Sequence, residues 1–182
     1  MRILGIDPGS AVTGFGVVDR VGGELVHVAH GTLRPPRSAP LASRLNFIYR
    51  GVGEVIHQHR PDVAVVEQVF VAASARAALV LGQARGVALA ALAAGEVGAN
   101  EYAATRIKQA VTGSGRASKR QVQNMVRRLL SLDSAPALDA SDALAAAICH
   151  AYECKLRNVG VRGRPRPRRG ARRSSIGVVR IP

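Results

Sequence analysis

The hydrophobic pattern switches period several times along the chain. The apolar run from Ile3 to Ile6 predicts a buried strand over Arg2 to Asp7, and a second strand follows from Gly14 to Arg20. A third, Glu24 to Arg34, is joined to it by a turn at Val21-Gly22-Gly23, which makes a hairpin. Leu41, Leu45, Ile48, Tyr49, Val52, Val55 and Ile56 then fall on one helical stripe, so Leu41 to Gln58 is a helix. After Pro61, Asp62 to Glu67 contains Val-Ala-Val-Val, a continuous apolar run of the kind found in a central strand covered on both faces. Ala75 to Glu96 is rich in alanine and leucine and reads as a helix. Asn100 to Ala104 is a short strand, and Thr105 to Val111 and Ser118 to Leu130 are helices on either side of Gly113-Ser114-Gly115. A turn at Ser134-Ala135-Pro136 precedes a last helix, Asp139 to Leu156. This order of strands and helices implies an α/β sandwich with a mixed sheet flanked by helices.

Beyond that helix the composition changes. Asn158 to Pro182 holds eight arginines and no acid, which marks residues 158–182 as a basic, disordered tail on a domain spanning 1–157. The tail does not account for the whole net charge of +14, because 18 basic residues face 12 acidic ones in the rest of the chain. A basic body with a basic tail favours polyanions, nucleic acid first among them. No uncharged apolar run reaches eighteen residues, so no membrane span is expected. Arg2 leads straight into the first strand without a signal-peptide pattern, and the expected location is the cytoplasm. Cys149 and Cys154 stand about 140° apart around a helix of 3.6 residues per turn, on different faces. They read as free thiols in a reducing compartment.

Four of the twelve acids occupy informative places. Asp7 ends the first strand within Gly-Ile-Asp-Pro-Gly-Ser, although Asp-Pro-Gly is also ordinary turn chemistry. Glu67 closes a central strand, where a glutamate is seldom buried unless paired or bound to a metal; a solvated strand end is the plainer reading. Asp139 and Asp142, at i and i+3, share one helical face, and a capping pair at a helix N-terminus has the same pattern. If the strands are neighbours and the helix packs across them, the four side chains converge. Two carboxylates about 4 Å apart repel by roughly 4 kcal/mol at an effective dielectric near 20. Such a cluster calls for cations, and oxygen ligands alone suit magnesium or manganese. A pair of these ions can hold a phosphodiester for hydrolysis. In the alanine-rich helix Gly82, Gly86, Ala90 and Ala94 recur every four residues, a stripe that suits packing on the chain's own sheet or on another subunit.

Four segments stand in order along the chain: Gly5-Ile6-Asp7-Pro8-Gly9-Ser10 with Thr13-Gly14, Glu67-Gln68-Val69-Phe70, Leu81-Gly82-Gln83-Ala84-Arg85-Gly86, and Asp139-Ala140-Ser141-Asp142-Ala143-Leu144-Ala145. Together they resemble the RuvC crossover junction endonucleases, the bacterial Holliday junction resolvases. The resemblance spans Met1 to about Tyr152. It implies an RNase H-like fold with a five-stranded sheet, a homodimer, and two Mg²⁺ per active site with Mn²⁺ able to substitute. It also implies paired symmetric nicks across a four-way DNA junction and work with a branch-migration complex of RuvA and RuvB type. Asp7, Glu67, Asp139 and Asp142 fall on the family's catalytic and metal-binding acids. Phe70 matches an aromatic that stacks on junction bases, Lys108 and Lys119 match lysines near the scissile phosphate, and Gly82 and Gly86 lie on the family's dimer helix.

Three other classes are weighed against this reading. An actin-like ATPase also uses Asp-x-Gly before a hairpin, but needs two lobes. A noncatalytic basic DNA-binding protein would bind junctions without cutting, and an RNase H-type nuclease would prefer RNA–DNA hybrids.

Overall fold

The computed structural model describes residues 1–68 and 74–160, with side chains through residue 154. Five strands and five helices follow in the order β1 (Arg2–Asp7), β2 (Thr13–Val21), β3 (Glu24–Leu33), α1 (Leu41–His59), β4 (Val63–Gln68), α2 (Ala75–Ala94), β5 (Ala99–Ala103), α3 (Ala104–Thr112), α4 (Lys119–Leu129) and α5 (Leu138–Gly160). The strands form one sheet in the order β3-β2-β1-β4-β5. The hairpin side is antiparallel, and β1, β4 and β5 run parallel. The sheet is therefore mixed, with its apolar strands β1 and β4 in the middle.

Strand alternation divides the core into two layers. Leu4, Ile6, Ala64 and Val66 join α1 and α2 residues such as Ile48, Val52, Ala88 and Leu92 on one face. Ile3, Val18 and Val65 join Ile107, Val122, Val126, Leu144 and Ile148 from α3, α4 and α5 on the other. Both layers are aliphatic, and tryptophan is absent from the chain.

The element boundaries depart from the sequence expectation by a few residues. Ala104 opens α3 instead of closing β5, and α2 stops at Ala94, where the Gly95 N–H donates to Ala91 and Ala93 carbonyls. Helix α5 runs to Gly160, so the expected boundary at 157 falls inside it. The tail from 161 onward, like Phe70, lies outside the described residues.

Helix α2 is more apolar than a count of uncharged runs suggests. By length and composition alone it is apolar enough to cross a membrane, with a mean hydropathy of 1.6. Counting uncharged runs hid this, because Arg76 and Arg85 interrupt the stretch. Only 22% of its most apolar 18-residue stretch is buried, and Arg85 is ion-paired to Glu101 of β5. Ala84, Ala88, Ala91 and Leu92 face the core, whereas Gly82, Gly86, Ala90 and Ala94 are exposed. The small-residue stripe therefore does not pack on the chain's own sheet.

Candidate active site

The register of the central strands sets two of the acids side by side. Ile6 is paired with Val66 in the parallel β1–β4 ladder, so Asp7 and Glu67 are the next positions along neighbouring strands. Ile3 and Val65, four residues before Asp7 and two before Glu67 by the same alternation, face α5. Asp7 and Glu67 consequently project toward α5 as well.

Two glycines let α5 come down onto this end of the sheet. A Cβ on Gly14, the cross-strand partner of Asp7, would sit 2.0 Å from the Asp139 carbonyl oxygen. A Cβ on Gly5 would sit 1.9 Å from the carbonyl oxygen of Ala143. The helix therefore touches bare backbone on adjacent turns, and its first two turns carry Asp139 and Asp142 over the ends of β1 and β4. The turn after β1 is clamped too. The buried Thr13 hydroxyl donates to the Gly9 carbonyl at 2.8 Å, and Arg44 donates to the Ser10 carbonyl through Nε at 3.0 Å and Nη2 at 2.5 Å.

The fourth wall comes from α3 and α4. Ser118 and Gln121 form a reciprocal capping box, with Ser118 N–H to Gln121 Oε1 at 2.7 Å and Gln121 N–H to Ser118 Oγ at 3.3 Å. This fixes Lys119 in the first turn of α4, where a cation opposes the helix dipole. Its ammonium instead donates to Asp142 Oδ2 at 2.9 Å. With the lysine side chain 65% exposed, such a pair adds at most about 1 kcal/mol of stability, so its placement is better explained by chemistry.

Together Asp7, Glu67, Asp142, Lys108 and Lys119, with Ala104, Ile107 and Val122, line a pocket of about 150 Å³. Burial, then Glu67 and Asp142, push the Asp7 carboxyl up to about 7; Asp139 adds a smaller push, and Lys119 partly offsets it. Burial and the Asp142 charge raise Glu67 also, against Lys119 and Lys108. The Asp7 environment thus combines desolvation with like charges from all three other acids.

Asp139 stands further out than the sequence expectation placed it, since it feels Asp7 but does not line the pocket. Among the described residues no three acids, histidines or cysteines lie close enough to hold a metal ion as their side chains stand. The donor set nevertheless fits a hard divalent cation. It is all carboxylate oxygen, and the mutual repulsion that lifts Asp7 is what such a cation relieves. Lys108 and Lys119, the tertiary cations of this cluster, are remote from the acids in sequence. The glycine seam of Gly5 and Gly14 was missed in the sequence, where the available signal was glycine inside apolar strands, a mark of close backbone approach.

Comparison with known proteins gives a consistent answer. A family model described as crossover junction endodeoxyribonuclease RuvC matches residues 3–150. The chain is similar to proteins of that name from Burkholderia vietnamiensis, at 54% identity over 84% of each chain, and from Geobacter sulfurreducens, at 48% identity over 87% of this chain and 97% of that one. In structure it is similar to Thermus thermophilus RuvC in complex with a Holliday junction substrate, with a TM-score of 0.80, 33% identity, and coverage of 86% and 96%. The yeast mitochondrial Holliday junction resolvase Ydc2 shares the fold at a TM-score of 0.63 and 10% identity, covering 86% of this chain and 82% of that one.

Proposed function

The chain belongs to the RuvC family of crossover junction endodeoxyribonucleases, and on that premise we propose that Asp7, Glu67 and Asp142, with Asp139 beside them, form its catalytic site. The protein is an RNase H-like nuclease that resolves four-way DNA junctions in recombination and repair, by hydrolysis of phosphodiesters. Nucleases of this family depend on a metal.

The finer reading is that the four carboxylates hold two Mg²⁺, or Mn²⁺ in their place. When bound, these ions supply Lewis-acid polarisation of the phosphodiester and an activated water. The chain's own residues do the rest. Asp7, Glu67 and Asp142 would hold the cations at the strand and helix ends, and Gly5 and Gly14 let α5 lie close enough on the sheet to bring Asp139 and Asp142 there. Lys108 and Lys119 line the same pocket, where a scissile phosphate gains their charge. Lys119 exchanges its bond to Asp142 for one to the DNA as the junction enters. Phe70, in the segment after β4, stacks on an unpaired junction base.

The observation that carries this reading is the convergence of Asp7, Glu67 and Asp142 on one pocket, where burial and the neighbouring charges push the Asp7 carboxyl up to about 7. A structural acid pair gains nothing from such crowding, whereas a cation site requires it.

Paired symmetric nicks need two active sites related by a two-fold axis, hence a homodimer. Its support is the exposed stripe of Gly82, Gly86, Ala90 and Ala94 on an otherwise apolar helix, with Leu79 65% exposed nearby. Action in the cytoplasm with a RuvA–RuvB-type branch-migration complex completes the proposal, as does a nuclease domain over 1–157 and an accessory basic tail over 158–182.

The test is a cleavage assay on a synthetic mobile junction and on an RNA–DNA hybrid, each with Mg²⁺ and with chelator. Symmetric nicks in the junction that require Mg²⁺ are expected. Preference for the hybrid, or undiminished cutting in chelator, contradicts the proposal.

A further inference from the structure

Two histidines of β3 lie apart from the carboxylate pocket. His27 Nε2 and His30 Nδ1 approach to 2.8 Å, with ring centroids 4.9 Å apart and planes inclined by 56°. Residues three apart in a regular strand project to opposite faces, so this meeting requires a cause.

The cause is a β-bulge. Val17 of β2 pairs with Ala29 while Val18 pairs with His27, which leaves Val28 as an extra residue in β3. Val28 and Ala29 both pack toward α1 and α2 as a result. The strand's parity shifts there, and His30 returns to the side already occupied by Leu25 and His27, the side of α5. Because β3 is the edge strand, the pair lies at the rim of the sheet with His30 exposed.

We infer that His27 and His30 form a two-imidazole site for a borderline divalent transition-metal ion such as Zn²⁺, bound through His27 Nε2 and His30 Nδ1 with water completing the coordination. Zinc–nitrogen bonds of about 2.0–2.1 Å at a tetrahedral angle span about 3.3–3.4 Å between nitrogens. The pair reaches that bite by opening about half an ångström, which rotation of the exposed His30 ring provides. In the hydrogen-bonded pair one of the two facing nitrogens carries a proton. On binding, that proton moves through solvent to the far nitrogen of the same ring, so both rings stay neutral and both facing lone pairs become available. Burial and the neighbouring His30 hold His27 below the ordinary histidine range, which favours the neutral form a metal needs.

Imidazole ligands select zinc, copper or nickel over magnesium, so this site and the carboxylate pocket take different ions. Among the described residues no third histidine, cysteine or acid joins the pair, which is why water fills the remaining positions.

The test is a Zn²⁺ titration of the full chain in excess Mg²⁺, followed by calorimetry and by the imidazole NMR resonances. His27 and His30 resonances are expected to move together at substoichiometric Zn²⁺. His27→Gln and His30→Gln should each weaken binding at least about tenfold, since even outer-shell partners of a metal matter that much. The double variant should lose one site and keep Mg²⁺-supported junction cleavage. Equal zinc stoichiometry and affinity in the double variant would overturn the inference. So would unmoved His27 and His30 resonances in the wild-type protein at millimolar Zn²⁺, a readout that needs no variant to fold.

Discussion

Asp7 is a half-buried carboxyl that holds its proton up to about pH 7 in the metal-free chain, because burial and the Glu67 and Asp142 charges oppose ionisation. The unfolded chain releases the same proton near pH 4. Between those values the unfolded state binds fewer protons than the folded one, so stability falls as pH rises. The penalty is absent below about pH 4 and fully present above about pH 7, on the order of a few kcal/mol. Asp7→Asn cannot ionise, so without metal it should match the wild type near pH 4 and exceed it in urea unfolding at about pH 8. Millimolar Mg²⁺ should close the gap. A difference independent of pH would contradict the assigned cause. The acids themselves were legible in sequence, since each ends an apolar run or opens a helix. Lys108 and Lys119 emerged there only through family resemblance, because tertiary packing alone brings them to the acids.

At the scale of elements, the site depends on how closely α5 lies on β1 and β2. Gly14→Ala places a methyl group 2.0 Å from the Asp139 carbonyl, and neither backbone can yield without moving the helix start. Overpacking of this kind costs about 1–3 kcal/mol, or more where backbone must shift. The folded Gly14→Ala protein should also cut junctions at least about a hundredfold more slowly, as expected for a displacement near 1 Å. Steady-state cleavage beside a thermal melt checks this; a destabilised variant with full activity would show that the seam positions nothing. Most elements were readable from period alone, because apolar runs and helical stripes determine which face is buried. The β3 bulge was not readable, since an extra residue is defined only against its partner strand. The Ala104 boundary was missed because alanine closes a strand as readily as it opens a helix.

At the scale of the whole molecule, the predictions turn on the open stripe of α2, proposed above as the dimer face, and on the distribution of charge. Gly86→Arg introduces a long charged side chain on a face where a Cβ meets nothing within 4 Å. The monomer should fold normally, while sedimentation should show loss of the dimer and junctions should be nicked singly rather than in pairs. A variant that remains dimeric would move the interface elsewhere. The basic body predicts junction affinity that falls on the order of a thousandfold between about 50 and 200 mM salt if six phosphates are neutralised. Ending the chain at Arg157 should lessen that slope and leave the cleavage rate of bound junction unchanged. A truncated protein that folds but no longer cuts would give the tail a role in the chemistry. Function was legible at this scale through the resemblance carried by several motifs in order; the basic charge and the acids at two strand ends and a helix start agreed with it without deciding it. The proposed dimer face was less so: a small-residue stripe reads alike whether it packs inward or outward.

Asp7 is proposed to act in the chemistry and not in recognition of the DNA. The most direct test measures binding and Mg²⁺-dependent cleavage of one synthetic four-way junction by the wild type and Asp7→Asn. The variant is expected to bind as the wild type does and to cut slower by more than about a hundredfold. Cleavage at the wild-type rate would contradict the assignment of the site.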